Sequence, residues 1–373
     1  MRNPAFTLLL ALGLSLKLIA QPTNNPVETA LKPLGINDPF EPEKLVAVPE
    51  EIEIVSNKYR QEALPLLEAA SFDKLEEMAT ALRASKKQIS SGYWELDCFY
   101  RTLSRCEKKD APEVWEKRRS QLEAWAKKKP DSPTPQACLA DFWCSYAWQA
   151  RGTGFSNTVT EKGWELMGER MGKAAKILSL NQKFESACPR FYAMSQRVAL
   201  AVGWPRAQFD HLYKTANSAH PGYMFYTYNR IQYLQPRWHG ENEQEWLEFA
   251  TKEADRLGGE EGDLFYARAA CFMFDLHYYE GFLRDSGVEW LRLRQGLEVC
   301  IKRFPDSLWA KSRLCYFSAQ KVEKQRAKQL FLEIGYQVDE EVWSKERFLL
   351  YREFAFRRVF HPQPKAAPTS SPP

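Results

Sequence analysis

The amino-acid sequence predicts an all-α protein built from stacked antiparallel helical hairpins. Three observations carry this prediction. Apolar residues recur at intervals of three and four positions, clear strand-type alternation is absent, and a proline-led aromatic segment returns at a nearly constant spacing. Of the 373 residues, 44% are hydrophobic and 13% are aromatic. The chain can therefore bury a substantial core.

Residues 1–20 have the pattern of a signal peptide. Arg2 precedes an apolar run, AFTLLLALGLSL, and Ala20 provides a small residue at the expected cleavage point. Lys17 and Leu18 depart from the usual cleavage pattern, so an uncleaved membrane anchor remains the alternative. We therefore expect an exported protein, periplasmic or extracellular, that contacts a membrane only if this segment is retained.

Proline-rich segments flank the predicted helical region. Residues 21–50 are predicted to form an extended linker because prolines recur throughout them. These prolines are Pro22, Pro26, Pro33, Pro39, Pro42 and Pro49. Residues 361–373, HPQPKAAPTSSPP, are too poor in large apolar side chains to bury a core and are predicted to be a disordered tail. The helical-repeat domain is expected to span residues 51–360.

The helical period is clear within this domain. The segment FDKLEEMATALRAS, residues 72–85, places its apolar side chains on one helix face. The segments WLRLRQGLEVCIKRF and RAKQLFLEIG, residues 290–304 and 326–335, have the same period. The short run IEIV at residues 52–55 is the one candidate strand. Thr158 followed three positions later by Glu161 predicts a capping box that opens a helix.

A repeat is visible in the positions of three prolines. Pro130, Pro221 and Pro305 each introduce an aromatic segment, and an aromatic residue stands twelve positions after each of them. These aromatic residues are Phe142, Tyr233 and Phe317. The spacings of 91 and 84 residues are close to twice a helical-hairpin repeat of about 34–47 residues. We therefore expect a tetratricopeptide-like α-solenoid in which every second unit kept its proline.

Charge and cysteine usage narrow the function classes. The 52 basic and 48 acidic residues give a net charge of +4, with no run of five like charges, so a nucleic-acid surface is disfavoured. None of the eight cysteines lies in a CxxC motif, and no metal site or cofactor is predicted. Export would permit disulfide bonds between these cysteines. The sequence is equally compatible with buried free thiols, so it does not determine the disulfide connectivity.

Four separated motifs indicate a family. They are WQARGTGFSNTVTEKGW, CPRFYAMSQRVALAVGW, HPGYMFYTYNRIQYLQPRWHG and EFATKEADRLGGEEGDLFYARAA. Their order resembles a bacterial domain-of-unknown-function family, number 4034, over about residues 60–330. The resemblance implies an α-helical, tetratricopeptide-like domain. It implies no reaction and no catalytic residue.

Two loops contain the candidate ligand-binding residues. Arg151 precedes the glycine-containing loop GTGFSNT, which lacks the phosphate-loop pattern. Its guanidinium is expected either to complement the end of its own helix or to present a cation to an anion. In YLQPRWHG, Arg237, Trp238 and His239 follow a helix-breaking proline. Together with Tyr226 and Tyr233 they are expected to line a groove for a protein or peptide, although core packing explains the tyrosines equally well.

The leading functional hypothesis is a non-enzymatic protein- or peptide-binding module or scaffold. The alternative is a cell-envelope hydrolase that uses Asp141 or Asp275 as its acid and Arg151 or Arg237 to bind charge. Convergence of Asp141, Arg151, Glu161, Arg237 and Asp263 in a deep pocket would favour the enzyme. The segment DLHYYE, residues 275–280, adds His277, Tyr279 and Glu280, but it lacks the H-E-x-x-H zinc pattern.

Overall fold

A computed structural model describes residues 40–107, 109–152, 156–277 and 281–357. These residues form helices joined by short loops, with only two three-residue strands among them. The all-α prediction is therefore confirmed. The predicted signal peptide, residues 21–39 of the predicted linker and the predicted tail lie outside the described residues.

The helices follow one another with short connections. The first six are α1 (Glu51–Glu62), α2 (Leu64–Glu68), α3 (Phe72–Ser85), α4 (Glu95–Ser104), α5 (Pro112–Lys128) and α6 (Pro133–Arg151). The next six are α7 (Glu161–Leu180), α8 (Pro189–Val202), α9 (Arg206–Ala219), α10 (Met224–Tyr233), α11 (Glu245–Leu257) and α12 (Gly259–His277). The last five are α13 (Phe282–Asp285), α14 (Trp290–Arg303), α15 (Leu308–Gln320), α16 (Lys324–Ile334) and α17 (Lys345–Phe356).

Buried and amphipathic helices alternate along the chain from α4 to α16. Helices α4, α6, α8, α10, α12 and α15, the inner helices, are buried over most of their residues. Helices α5, α7, α9, α11, α14 and α16, the outer helices, bury only a narrow stripe. A helix that is apolar on every side must be covered, whereas an amphipathic helix can cover it and face water.

Inner and outer helices that are neighbours in sequence pack against each other. The most extensive contacts join α6 to α7, α12 to α14, and α15 to α16. The aromatic segments that follow Pro130, Pro221 and Pro305 form inner helices α6, α10 and α15, with α8 and α12 between them. This order matches the predicted two helix pairs per interval. The solenoid arrangement itself stays a prediction.

Close contact between α12 and α14 depends on a glycine. A Cβ atom at Gly296 would lie 2.0 Å from the backbone oxygen of Asp263 and 2.6 Å from the Cβ atom of Ala267. Such distances are far below van der Waals contact, so only glycine permits the two helices to approach this closely.

The described part of the predicted linker packs on the helical body. Residues 46–48 form strand β1 (Val46–Val48), which pairs in parallel with β2 (Gln337–Asp339), and Val46 lies opposite Gln337. Leu45 is buried in the core. Residues 40–50 are therefore not a free extended segment, because their backbone and Leu45 find partners almost three hundred positions later in the chain.

The candidate strand IEIV at residues 52–55 is helical instead. It lies within α1, where Ile52 and Val55 face the core together with buried Ser56 and Tyr59. These positions are spaced by three and four residues, which is the period of one helix face. The short apolar run alone did not reveal this longer pattern.

Residues 86–94, the connection before α4, tie distant helices together. The Arg268 guanidinium on α12 donates to the Ser90 carbonyl at 3.0 Å, and the Ser307 hydroxyl donates to the Ser90 hydroxyl at 2.7 Å. The Glu51 carboxylate accepts from the Ser90 hydroxyl at 2.6 Å. Through the hydrogen bonds of Ser90, this connection therefore links α1, α12 and the beginning of α15.

All eight cysteines lie within the described residues as free thiols. Seven are buried and Cys106 is half-buried. The thiol of Cys188 lies 3.1 Å from the Tyr100 hydroxyl, and the thiol of Cys300 donates to the Ser90 carbonyl at 3.4 Å. In this structure the cysteines serve as small core side chains.

Candidate ligand-binding cavity

A partly enclosed cavity of about 80 Å³ lies among the inner helices. Its wall combines four arginines, five carboxylic acids, several aromatic rings and two amides. The residues come from α1, α4, α8, α10, α12 and α15, together with the connection before α4 and the segment after β2. A small concave site with converging polar groups is the usual form of a ligand-binding site.

Charged side chains reach the cavity from two inner helices at helical spacing. Asp97 and Arg101 lie on α4, and Arg105 directly follows it, so the three are spaced at intervals of four; on α8, Arg190 and Arg197 are seven positions apart. Residues at these intervals share one face of an α-helix. These five residues form the side of the cavity that we call the basic side.

The aromatic wall comes mainly from α10 and α12. Phe225 and Tyr228 lie on the same face of α10 as the amides of Asn229 and Gln232. The Tyr228 ring stacks on Phe272 with centroids 4.5 Å apart, and the Tyr93 ring lies 4.9 Å from Tyr228. This wall provides ring faces next to the charged groups.

A buried ion-pair network supports the basic side. The Arg190 guanidinium, of which 1% of the side chain is exposed, lies 3.0 Å from Asp97 and 2.5 Å from Asp141. Arg105 lies 3.7 Å from the Asp141 carboxylate. Burial raises the pKa of Asp141, but Arg190, Arg105 and Arg197 reverse this effect, and the net pKa is lowered. Asp141 is therefore an ionised structural partner behind the cavity wall.

Arg197 acts on Asp141 through its charge but makes no direct contact with this network among the described residues. It is 5% exposed and lines the cavity, and its Nη2 atom has no hydrogen-bond partner in the described part of the chain. Among the described residues its guanidinium makes no ion pair. Burial lowers the pKa of Arg197, although the Asp141 carboxylate acts in the opposite direction. The basic side therefore holds a buried cation that the protein does not compensate by direct contact.

A second cluster, the acidic side, surrounds Arg313 on α15. This guanidinium is fully buried and lies 2.7 Å from Asp275, 2.8 Å from Glu341 and 3.4 Å from Asp339. Asp275 and Glu341 also line the cavity. Burial raises the pKa of both aspartates and Arg313 opposes this effect. The resulting pKa is about 6 for Asp275 and about 7 for Asp339. The pKa of Glu341 is also raised, chiefly by burial.

Arg151 lies outside this cavity. It is the last residue of α6, and its guanidinium lies 5.7 Å from the Trp148 ring and 5.3 Å from the Trp164 ring. Helix α7 begins at Glu161, so its N-cap is Thr160, whose hydroxyl accepts from the Gly163 N–H at 3.0 Å. The predicted capping role of Thr158 is therefore wrong by two positions, because an N-cap directly precedes the first helical residue.

The two predicted groove tyrosines are core residues. Tyr226 is fully buried and its hydroxyl donates to the Pro189 carbonyl at 2.9 Å. Tyr233 is 1% exposed, donates to the Trp204 carbonyl at 2.7 Å and stacks on Phe209. Neither side chain is available to line a groove. Core packing, the other explanation that the sequence allowed, accounts for both.

The remaining predicted groove residues lie outside the cavity wall, and one of them, Trp238, lies near Arg151. The Trp238 ring packs edge-on against Trp148 with centroids 5.8 Å apart, and Trp148 also contacts Arg151. His239 bonds through Nε2 to the Leu200 carbonyl at 3.1 Å, and Arg237 is exposed. The structure thus groups Arg151 with Trp238 around Trp148, whereas the His239 ring lies against Tyr233 with centroids 4.5 Å apart.

The residues proposed for a hydrolase do not converge. Asp141, Arg151, Glu161, Arg237 and Asp263 are all outside the wall of the cavity. Asp141 pairs with Arg190, and Asp263 lies 3.4 Å from Arg292. Asp275 is the one predicted acid that reaches the cavity. Tyr279 and Glu280 of the DLHYYE segment lie outside the described residues.

Comparison with known protein families, curated protein sequences and solved structures finds no match. The resemblance to family 4034 therefore stays a prediction. Across the described ranges, no three His, Cys, Asp or Glu residues are arranged to hold a metal ion. No described helix is long and apolar enough to cross a membrane.

Sequence reasoning missed the arginines of the basic side. Arg101, Arg105, Arg190 and Arg197 were absent from the predicted site, although three of them lie in mostly buried helices and Arg105 directly follows one. Charged residues spaced by four or seven positions within a buried helix were the available signal. Arginines in amphipathic outer helices have the same local spacing, so the signal needs knowledge of which helices are buried.

His277 gives a testable pH dependence. Its Nε2 lies 3.1 Å from the Gln235 side-chain oxygen, and burial lowers its pKa from 6.5 to about 4. Between these values the unfolded chain binds a proton that the folded chain does not, so acidification destabilises the fold. From pH 7 to pH 5, we expect the unfolding free energy of wild type to fall by about 2 kcal/mol relative to His277→Gln.

Urea denaturation at the two pH values measures this difference. The exposed His211 on α9 provides a control, since His211→Gln should leave the pH dependence of wild type unchanged. Parallel stability curves for wild type and His277→Gln would contradict the prediction.

Proposed function

We propose that this protein is a non-enzymatic binding module whose cavity holds the carboxylate of a peptide or protein segment. Arg197 carries the proposal, because it is a buried cation on the cavity wall without a hydrogen bond or ion pair among the described residues. An isolated buried charge is costly to the fold. A ligand that supplies the missing anion explains why such a residue is retained.

The chemistry of the basic side favours an oxyanion. A guanidinium presents planar N–H donors that match a carboxylate and can bind both of its oxygens. Arg101 and Arg105 add positive charge, and the amides of Asn229 and Gln232 lie on the same wall. Arg190 is less suited to bind a ligand because its guanidinium already forms ion pairs with Asp97 and Asp141.

Replacing Arg197 should abolish ligand binding without lowering the stability of the fold. In Arg197→Met the apolar stem is kept and the uncompensated charge is removed, so the unfolding free energy should stay equal or rise by about 1–3 kcal/mol. Urea denaturation measures this change. A loss of more than about 1 kcal/mol would show that Arg197 has an essential partner within the fold.

Binding is tested by calorimetry with alanine dipeptide, tripeptide and tetrapeptide. We expect the peptides with a free carboxylate to bind wild type, and the C-terminally amidated peptides to bind at least about tenfold more weakly, since one charge-assisted hydrogen bond contributes about 1.5–3 kcal/mol. Arg197→Met should bind neither set. Arg119 on outer helix α5, paired with Glu116 and Glu123, gives the matched control Arg119→Met, which should bind as wild type does. Equal affinity for free and amidated peptides would refute the proposal.

One observation favours the hydrolase alternative. Asp275 lines the cavity, and burial raises its pKa to about 6, a value suited to a general acid near neutral pH. Incubation of the alanine tetrapeptide with the protein, followed by mass spectrometry, decides between the two functions. Shorter fragments that are absent with Asp275→Asn would identify a peptidase, whereas an intact peptide supports the binding module.

Three further proposals rest on the sequence alone. We propose that the chain is exported, that it is related to family 4034, and that its helix pairs stack as a tetratricopeptide-like solenoid. The signal-peptide pattern, the four ordered motifs and the repeated proline spacing support them in turn. N-terminal sequencing of the protein from cell fractions tests export, and it also distinguishes a cleaved segment from a retained anchor.

A further inference from the structure

The acidic side of the cavity carries more carboxyl groups than its one cation neutralises. Asp275, Asp339 and Glu341 all lie within 3.4 Å of Arg313, and no other described cation pairs with them. Glu50 also lines the cavity and acts electrostatically on all three. Asp275, Asp339 and Glu341 therefore share one guanidinium among the described residues, and this side of the cavity has a deficit of positive charge.

The basic side has the opposite imbalance within the same cavity. Among the described residues Arg197 has no hydrogen-bond or ion-pair partner, and it makes no ion pair with Asp275 or Glu341. Opposite charge imbalances at two places in one cavity are best compensated by one molecule that carries both signs. A ligand with an anion alone satisfies only the basic side.

The aromatic rings next to the acidic side suit an organic cation. Phe272 stands one turn before Asp275 on α12, and Trp309 one turn before Arg313 on α15, and both rings line the cavity. Tyr228 stacks on Phe272 with centroids 4.5 Å apart. An ammonium group within about 6 Å of such rings gains cation–π attraction in addition to its ion pair.

We propose that the cavity binds a short peptide with both ends free, holding its ammonium group at Asp275 and Glu341 and its carboxylate at Arg197. This inference rests on the proposed function, which assigns only the carboxylate. It adds the second recognised group and so names the ligand class as zwitterionic peptides.

The test compares chemically blocked forms of the same alanine peptides by calorimetry. Peptides with both ends free are compared with N-acetylated peptides, C-amidated peptides and peptides blocked at both ends. We expect either single block to weaken binding to wild type at least about tenfold, and the double block to abolish it.

The outcomes separate this inference from the proposed function. If N-acetylated peptides bind as tightly as free peptides while amidated peptides do not, the carboxylate site stands and the ammonium site is refuted. If amidated peptides bind as tightly as free ones, the proposed function fails. Absence of binding by every peptide would overturn both.

Variants assign the ammonium group to the acidic side. Asp275→Asn keeps the shape of the side chain and removes its charge, so it should bind free and N-acetylated peptides equally while still rejecting amidated ones. Glu341→Gln gives a second route to the same result if Asp275→Asn does not fold. Arg119→Met should keep the full preference of wild type. A preference for the free ammonium group that survives in both acidic-side variants would overturn the assignment.

Discussion

Arg190→Met is expected to lower the unfolding free energy by about 3–5 kcal/mol, the usual cost of removing one partner from a buried ion pair. Arg190 lies 3.0 Å from Asp97 and 2.5 Å from Asp141, and all three side chains are at most 2% exposed. The variant leaves two carboxylates buried without their shared cation. Urea denaturation monitored by tryptophan fluorescence measures the loss.

The control for this prediction is a paired arginine on the surface. Arg119→Met removes a cation that contacts two glutamates on outer helix α5, but these side chains are partly exposed. Water screens such pairs, so the change should stay within about 1 kcal/mol. A similar loss in Arg190→Met and Arg119→Met would show that the buried network does not stabilise the fold.

Arg313→Met is expected to lower the unfolding free energy by as much as Arg190→Met does, and this loss should depend strongly on pH. The variant leaves Asp275, Asp339 and Glu341 without their common cation. We expect a loss of about 3–5 kcal/mol at pH 8 and a smaller loss at pH 5. Urea denaturation at both pH values measures the two losses.

The sign of this pH dependence follows from the raised pKa values. In wild type the pKa of Asp275 is about 6 and that of Asp339 about 7, above their ordinary value of 3.8. Without Arg313 both rise further, so the folded variant holds more protons than the unfolded chain between pH 5 and pH 8. Its stability therefore falls as the pH rises through this window.

Arg303→Met is the matched control for Arg313→Met. Arg303 pairs with Glu261 on α12, but both side chains are substantially exposed. We expect a change of less than about 1 kcal/mol that does not depend on pH in this range. An equal loss at pH 5 and pH 8 in Arg313→Met would contradict the assigned role of the carboxyl cluster.

Local signals in the sequence account for much of the helical layout. The segment FDKLEEMATALRAS coincides with α3 (Phe72–Ser85), and WLRLRQGLEVCIKRF contains α14 (Trp290–Arg303). These predictions hold because the apolar stripe and the ends of a helix are encoded within about fifteen residues. The strand pair β1 and β2 was missed, because each strand has three residues and its partner is far away in the chain.

The candidate site could not be predicted from these local sequence patterns. The sequence pointed to Arg151, Tyr226, Tyr233, Arg237, Trp238 and His239, chosen for residue type and for nearby loops. In the structure Tyr226 and Tyr233 are core residues, and the others lie outside the cavity wall. A tyrosine in a core and a tyrosine in a groove look alike in sequence, since the aromatic ring suits both surroundings.

The sequence by itself determined the all-α class, the positions of α3, α14 and α16, and the spacing of the proline-led aromatic segments, because these depend on neighbouring residues. Only the tertiary structure decided which helices are inner helices, and so which charges are buried. It placed Arg190 between two carboxylates, and it left Arg197, seven positions further along the same helix, without a direct partner among the described residues. The physical reason is that the contribution of a charged side chain to the free energy of folding depends on the groups around it. Packing brings those groups together from helices that are far apart in the chain.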